Sequence, residues 1–329
     1  MSYTAMVCEA LEGPGALKPH TLDEVMPAAG EVRIGIRAAG VNFPDLLMTR
    51  GAYQLKLQPP FTPGMEIAGE ILATGAKVTD WQPGQRVIAL MRHGGYAQQA
   101  VVPAAALLPL PQAFSWAEGA TFHVATHTAW HALVDRARLA AGETLLVLGA
   151  TGGVGLAAVA LGKTLGARVI AVGGDDGKLA VARQQGADAV VNYRTQDLLA
   201  SVKALTEERG VDVVYDPVGG ELSKTSARLL AWDGRLLIIG FASGEIPEFR
   251  ANHALIKGYS ILGVRAGESS RRNPEQARRG REAILDHARN GHLRPYISHT
   301  LPLTQAGQAL QLLESRQVTG RVALVIDDE

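Results

Sequence analysis

Two rhythms of apolar and polar positions divide this chain. In its first part, short runs of alternating or β-rich character recur at residues 5–8, 31–38, 66–72, 86–90 and 97–102. Gly13-Pro14-Gly15, Pro59-Pro60 and Pro83-Gly84 punctuate them. Alternation sends every second side chain to one face of a strand, and Pro or Gly ends each run, so a compact, largely β domain is expected. A short helix is expected over 44–50, with Pro44 in its first turn, where the missing N–H is tolerated. Ser115 with Glu118 three residues on reads as a capping box for a helix running through 122–133.

Further along the chain the period changes. Apolar blocks at 145–148, 169–172, 189–192, 211–215, 236–239 and 260–264 alternate with helix-compatible stretches at 179–185, 196–208 and 222–230. Apolar blocks without alternation are how strands buried on both faces read. Six such strands joined by helical crossovers predict a right-handed, doubly wound parallel sheet, an α/β Rossmann fold. Ligands of such sheets sit beyond the carboxyl ends of the strands, which brings Gly173, Asp216 and Gly240 toward one crevice. After Arg265, a charged amphipathic helix at 274–288, a helix at 304–314 and a strand at 321–326 are too small to fold alone. The expected organisation is therefore a β-rich domain over 1–122, a nucleotide domain over 123–266, and a segment 267–329 that returns to the first domain.

The block at 144–148 leads into Gly149-Ala150-Thr151-Gly152-Gly153-Val154-Gly155, then Ala157, Ala158, Ala160, Leu161 and Leu165 in a helical pattern. Glycines let the backbone turn tightly and approach a pyrophosphate, and the following helix offers unpaired N–H groups and the positive end of its dipole. Ala150 departs from the usual G-x-G-x-x-G spacing. The strand before and the helix after assign Ala150, Thr151, Gly152, Gly153, Val154 and Gly155 to a dinucleotide, with a purely structural turn as the alternative. The second strand ends Ala171-Val172-Gly173-Gly174, with no acid at the tip where an NAD site usually carries one. Gly173 leaves room for a 2′-phosphate and Lys178 can neutralise it, so NADPH is the expected cofactor. Asp175 or Asp176 could instead hold the ribose and favour NAD, or both could cap the helix that starts near Gly177.

Composition narrows the classes. The chain has 329 residues, enough for about two domains, and Lys+Arg equals Asp+Glu at 32 each. No net field favours nucleic acid or an anionic membrane, so neither is an expected partner. Cys8 is the only cysteine, which rules out an internal disulfide and a thiolate-rich metal site. The start shows no basic stretch followed by an apolar core, and Lys163 and Arg168 interrupt the longest apolar region, so a cytoplasmic protein is expected.

Three stretches of the first domain add a resemblance. Arg37-Ala38-Ala39-Gly40-Val41-Asn42-Phe43-Pro44-Asp45, Pro63-Gly64-Met65-Glu66-Ile67-Ala68-Gly69-Glu70 and Pro83-Gly84-Gln85-Arg86-Val87, with the nucleotide motif, resemble the medium-chain dehydrogenase/reductase superfamily over essentially the whole chain. Asn42 and Met65 stand where its zinc alcohol dehydrogenases carry cysteine and histidine ligands, and their cysteine-rich lobe is absent, so no metal is expected. With Val191-Asn192-Tyr193-Arg194 and Asp216-Pro217-Val218-Gly219, the chain is similar to the NADPH:quinone oxidoreductase (zeta-crystallin-like) family. The resemblance implies a GroES-like first domain and metal-free reduction of quinones or activated enones. It implies that Lys178, Tyr193 and Arg316 contact the 2′-phosphate, and that Gly240, Phe241, Ala242 and Val264 flank the nicotinamide. Asn42, Asp45, Tyr53 and Thr128 match residues on the nicotinamide and substrate side, the candidate catalytic set. Structural alternatives stand beside each: Asn42 and Asp45 as caps of the short helix, Tyr53 as packing, Thr128 as a back-bond within its helix.

The expected activity is hydride transfer from NADPH to a quinone or activated enone, with a 2-enoyl thioester reductase and a non-catalytic, crystallin-like NADPH-binding protein as alternatives. His123, His127 and His131 at i, i+4 and i+8 lack nearby carboxylates and are not assigned to a metal. Arg271, Arg272, Arg278, Arg279 and Arg281 form either a solvated helix face or a contact for an anionic acyl carrier such as CoA. Tyr259–Val264 carries neither charge nor proline and would be the outermost strand, so pairing with its own copy in a two-fold dimer is expected.

Overall fold

The structure, a computed structural model, describes residues 2–326. It divides into two units: residues up to Val124 together with those from Pro295 onward, and Ala125–Arg294. Residues 267–294, expected with the C-terminal return, thus lie in the nucleotide-domain unit. The reason is visible in the helix Pro274–Arg289, where a Cβ at Gly280 would lie 3.1 Å from the Trp130 indole. Glycine lets that helix pack closely on another element of the same unit.

The first unit is β-rich. Ser2–Cys8 pairs antiparallel with Leu17–Asp23. A seven-stranded sheet runs Ile297–Pro302, Arg321–Val325, Glu31–Val41, Glu66–Thr74, Arg86–Leu90, Leu107–Pro109, with Gln99–Pro103 also paired to Glu31–Val41. The C-terminal strand enters antiparallel, Val322 opposite Val41 and Leu324 opposite Ala39. Ile34, Ile67, Ile71, Val87 and Leu324 fill the core. Burial alternates along Glu31–Val41 until Ala38 and is then continuous, because the helix Trp116–Trp130 crosses its end. At Gly40 a Cβ would lie 2.1 Å from the Ala120 carbonyl oxygen, so no side chain fits.

The second unit carries a six-stranded parallel sheet in the order Ala189–Asn192, Arg168–Gly173, Thr144–Val147, Val211–Asp216, Leu230–Ile238, Ser260–Gly263. This is the doubly wound order, with Leu146, Ile170, Val172, Val214 and Leu236 fully buried in its core. The helices Gly153–Thr164, Asp176–Gln184, Leu198–Leu205 and Gly220–Ala227 provide crossovers. Two expected helices are too long. The stretch 222–230 ends at Ala227, and Leu230 opens a strand, since Leu229, Leu230 and Ala231 are apolar for the sheet rather than for the helix. The stretch 196–208 stops at Leu205, and Glu207 and Glu208 adopt positive φ. The helix expected after Ser115 begins at Trp116, with Ser115 and Glu118 bonded to each other as a capping box, but it gives way after Trp130 to a π-helical turn, His131–Arg136. No helix among the described residues is long and apolar enough to cross a membrane.

Candidate active site

The carboxyl ends of the parallel strands gather most of the residues expected to hold a dinucleotide. Ala150 follows the Thr144–Val147 strand and donates its N–H to the Val172 carbonyl at 3.0 Å. Thr151 leads to Gly152, the N-cap of Gly153–Thr164, which has no side-chain cap. The first N–H groups of that helix, at Gly153, Val154 and Gly155, lack intrahelical acceptors. A Cβ at Gly155 would lie 2.2 Å from the Gly149 carbonyl oxygen, so glycine there sets how closely helix and strand approach. A Cβ at Gly173 would lie 3.1 Å from the Thr151 side chain, and one at Gly174 would lie 2.9 Å from the Tyr193 hydroxyl and 3.1 Å from Arg194 Nε. Thr151, Gly173, Tyr193 and Arg194 therefore share one corner. Lys178 stands nearby in the first turn of Asp176–Gln184, where the Asp175 carboxylate accepts its N–H at 2.9 Å.

Both aspartates of this loop have local work. Asp175 is the N-cap, and Asp176 accepts a 2.8 Å bond from the Asn192 amide. Arg194 was not singled out from the sequence; it is exposed and has no ion pair among the described residues. At the other side of the sheet, fully buried Asp216 accepts from the N–H groups of Val218 and Gly219 at 2.8 and 2.9 Å. The loop it holds fixes the next one: Ala242 N–H donates to Pro217 at 3.0 Å, and a Cβ at Gly219 would lie 3.1 Å from the Phe241 ring. Gly240 lies 3.6 Å, by the same measure, from the Pro217 carbonyl oxygen, and Val264 N–H donates to Ile238. Gly240, Phe241, Ala242 and Val264 are thus brought to the same strand ends as the glycine loop.

The first unit holds a buried polar network. Asn42 caps the helix Phe43–Thr49 and forms a capping box with Asp45. The Asp45 carboxylate is fully buried and accepts from Asn42 N–H at 2.9 Å, Tyr96 O–H at 3.0 Å and Gly64 N–H at 3.2 Å. Burial pushes its acid up to about 7 against those three donors. The Tyr96 phenol is raised well above its ordinary range by burial and by Asp45. Asn42 uses both ends of its amide: Nδ2 donates to Glu66 at 3.2 Å and Oδ1 accepts from Arg321 at 3.0 Å. Glu66 is fully buried, pairs with Arg321 and accepts from Val124 N–H at 2.9 Å. Burial raises its carboxyl, while Arg321 opposes the rise. Glu66, Tyr96 and Arg321 escaped the sequence reading. An acid inside the apolar run Glu66–Leu72 was the one available signal.

Asn42 and Asp45 therefore sit inside the protein, as caps and anchors, rather than presenting free polar groups. Tyr53 is half-buried against the first unit's core, and Thr128 is half-buried on the helix Trp116–Trp130. Arg316, beyond the helix Ala306–Glu314, is exposed and belongs to the first unit, whereas Lys178 and Tyr193 belong to the second. His131 pairs with Asp135 at 2.9 Å, and burial followed by the charges of His131 and Arg281 lowers His127 to about 4. Glu268 engages Arg271 and Arg272, and Glu275 and Glu282 engage Arg278, so the arginine-rich helices carry their own counter-charges.

Residues 28–112 match the alcohol dehydrogenase GroES-like domain, and residues 153–279 match the zinc-binding dehydrogenase family. A quinone oxidoreductase-like protein 2 homolog of Nematostella vectensis is 35% identical over 98% of this chain and 89% of its own length. The Escherichia coli quinone oxidoreductase, solved in complex with NADPH, superposes with a TM-score of 0.90 at 27% identity, covering 98% of this chain and 99% of that one. The CurK enoyl reductase gives a TM-score of 0.89 at 26% identity and covers 99% of each chain. The zinc implied by the second family's name does not suit the residues present. At the expected ligand positions stand a thioether, Met65, and an amide, Asn42, whose two polar atoms are already bonded to Glu66 and Arg321. With its GroES-like unit, its doubly wound sheet and relatives of this identity and coverage, the chain belongs to the quinone oxidoreductase family of the medium-chain dehydrogenases/reductases, a family of oxidoreductases.

Proposed function

We propose that this protein is a zinc-independent, NADPH-dependent reductase of quinones or activated enones. The environment of Asn42 carries the metal-free part of this reading. A guanidinium hydrogen-bonded to the amide and paired with Glu66 puts a fixed positive charge where a metal ion would need anionic ligands. NADPH, when bound, supplies the hydride. The residues proposed to hold it are Ala150, Thr151, Gly152, Gly153, Val154 and Gly155 at the pyrophosphate, and Gly240, Phe241, Ala242 and Val264 at the nicotinamide. Gly173, Lys178, Tyr193 and Arg316, joined by Arg194, serve the 2′-phosphate. With Asp175 engaged as a cap and Asp176 bonded to Asn192, neither acid stands ready for ribose hydroxyls, which supports NADPH over NADH.

In this reading Asn42 and Asp45 position the Phe43–Thr49 helix beside the acceptor. Tyr53 and Thr128 are the side chains proposed to meet it. A cytoplasmic location and a two-fold dimer through Ser260–Gly263 belong to the same proposal. Exposed Ile261 on that edge strand supports the dimer. The likeness to an enoyl reductase favours one second reading, reduction of a 2-enoyl thioester by the same hydride transfer.

The test is an acceptor panel of simple quinones, free enones and an enoyl-CoA, run with NADPH and with NADH, plus elemental analysis. NADPH is expected to be preferred at least ~10-fold, the scale of one charge-assisted contact, and Lys178→Ala to weaken NADPH alone. Stoichiometric zinc required for activity, or tighter NADH binding, would overturn the assignment. NADPH binding without turnover of any acceptor would leave the crystallin-like role.

A further inference from the structure

The amino ends of two central strands of the second unit form a groove that the reading above does not use. Arg228, Trp232, Ile256 and Lys257 line a cavity of about 570 Å³ with Gly210 and Leu230, where Val211–Asp216 and Leu230–Ile238 begin. That volume suits a small organic ligand, for which sites of ~300–1,000 Å³ are usual. The groove is remote from the dinucleotide edge: the six residues of Val211–Asp216 separate the two ends of the sheet by roughly 17 Å at about 3.3 Å per residue.

Its charge is unbalanced. Lys203 pairs with Glu208 at 2.9 Å, and Arg209 with Asp212 at 2.8 Å. Arg228 and Lys257 have no ion pair among the described residues, and Lys257 Nζ donates to the Arg228 carbonyl at 2.6 Å, which holds the two cationic residues together. Burial and the charges of Lys203 and Arg228 depress the Lys257 ammonium, as expected where like charges crowd. Trp232 is 72% exposed, yet its ring rests on the backbone of Gly258, where a Cβ would lie 3.0 Å from three of its ring atoms. An indole supported on one side and open on the other is a stacking platform for a flat ring.

We propose that this groove binds a nucleotide: a phosphate-bearing small molecule whose base lies on Trp232 and whose phosphate is held by Arg228 and Lys257. A phosphate matches two adjacent cations, and an aromatic base matches the open indole face. The probe is AMP, titrated calorimetrically into the full chain saturated with NADPH. One additional site is expected. Arg228→Gln and Lys257→Gln should each weaken it at least tenfold, Trp232→Ala by a similar factor, with NADPH binding unchanged in all three. Adenosine and inorganic phosphate should each bind at least tenfold more weakly than AMP. Arg228 and Trp232 are exposed, so loss of fold, read by circular dichroism, is not expected in their variants. Absence of heat from AMP in the NADPH-saturated protein would overturn the proposal. So would AMP affinity unchanged by Arg228→Gln, or inorganic phosphate binding as tightly as AMP.

Discussion

Replacing Arg321 by methionine should expose how the first unit depends on its buried ion pair. Arg321 and Glu66 are 6% and 0% exposed, and Arg321 also bonds the Asn42 amide oxygen. Without the guanidinium, Glu66 keeps only neutral donors, the Asn42 amide and the backbone N–H groups of Val124 and His123. Breaking a buried pair on one side costs about 3–5 kcal/mol, because the remaining charge is left in a low-dielectric site. The variant should therefore lose about 3–5 kcal/mol at pH 8 by urea denaturation, followed by tryptophan fluorescence.

The loss should also depend on pH. Burial already raises the Glu66 carboxyl, and losing Arg321 raises it further. A carboxyl whose folded pKa lies above its unfolded value of about 4.3 contributes stability fully below that value and loses it as pH rises through the folded pKa. Destabilisation of Arg321→Met should thus shrink toward about 1–2 kcal/mol near pH 5, the scale of lost neutral hydrogen bonds. Adding Glu66→Gln removes the orphaned charge and should recover at least about 2 kcal/mol at pH 8. A loss under about 1 kcal/mol at pH 8, equal losses at both pH values, or a double variant no better than the single would show that the pair is not the constraint described.

The other predictions concern single contacts. Tyr96→Phe removes a donor from Asp45, whose acid sits near 7, above its unfolded value. The lost bond is to a neutral acid at pH 5 and to a carboxylate at pH 8, so the cost should grow from about 1 to about 2–3 kcal/mol across that window, as read by denaturation at both pH values. Gly155→Ala forces a Cβ to 2.2 Å from the Gly149 oxygen. It should destabilise the protein by about 1–3 kcal/mol and weaken NADPH binding at least tenfold, measured by thermal denaturation and cofactor fluorescence. Leu262→Lys on the edge strand should turn a sedimenting dimer into monomer or aggregate, and a wild type that is monomeric at micromolar concentration would reject the dimer.

The parallel sheet was readable because buried strands concentrate their apolar residues into short blocks. Ala189–Asn192 coincides with the expected block, and the other five shift only at their ends. What blurred was the handover at 227–231, where helix and strand are both apolar and periodicity cannot separate them. Leu17–Asp23 was invisible for the opposite reason: Lys18, Pro19 and His20 lie outside the core, so only Leu17 of that strand is buried. At the candidate site, the glycine loop announced itself locally. The pair Glu66–Arg321 did not, since its partners lie 255 residues apart and meet only because the C-terminal strand pairs with Glu31–Val41. Long-range register decides such a contact, and no local pattern encodes it.

The same network bears on which acceptor suits this protein. A 2-enoyl thioester must receive a proton at carbon after hydride arrives, which calls for a positioned acid; a reduced quinone carries its charge on oxygen and can be protonated by water. The acids of the first unit's network are poorly placed for the former task. Asp45 and Glu66 are fully buried with every carboxylate oxygen engaged, and the raised Tyr96 phenol donates to Asp45. Of the residues proposed on the substrate side, only Tyr53 and Thr128 are partly accessible, and phenols and aliphatic alcohols are weak acids as a class. This asymmetry favours quinones, and it makes Tyr53→Phe decisive: quinone reduction should persist within a few-fold, whereas a thioester reductase relying on that phenol should lose about 10²–10⁴ in kcat, the usual contribution of general acid catalysis. Retention of efficient enoyl-CoA reduction in both Tyr53→Phe and Thr128→Ala would mean that water serves carbon as well as oxygen here, and the preference for quinones would lose its physical basis.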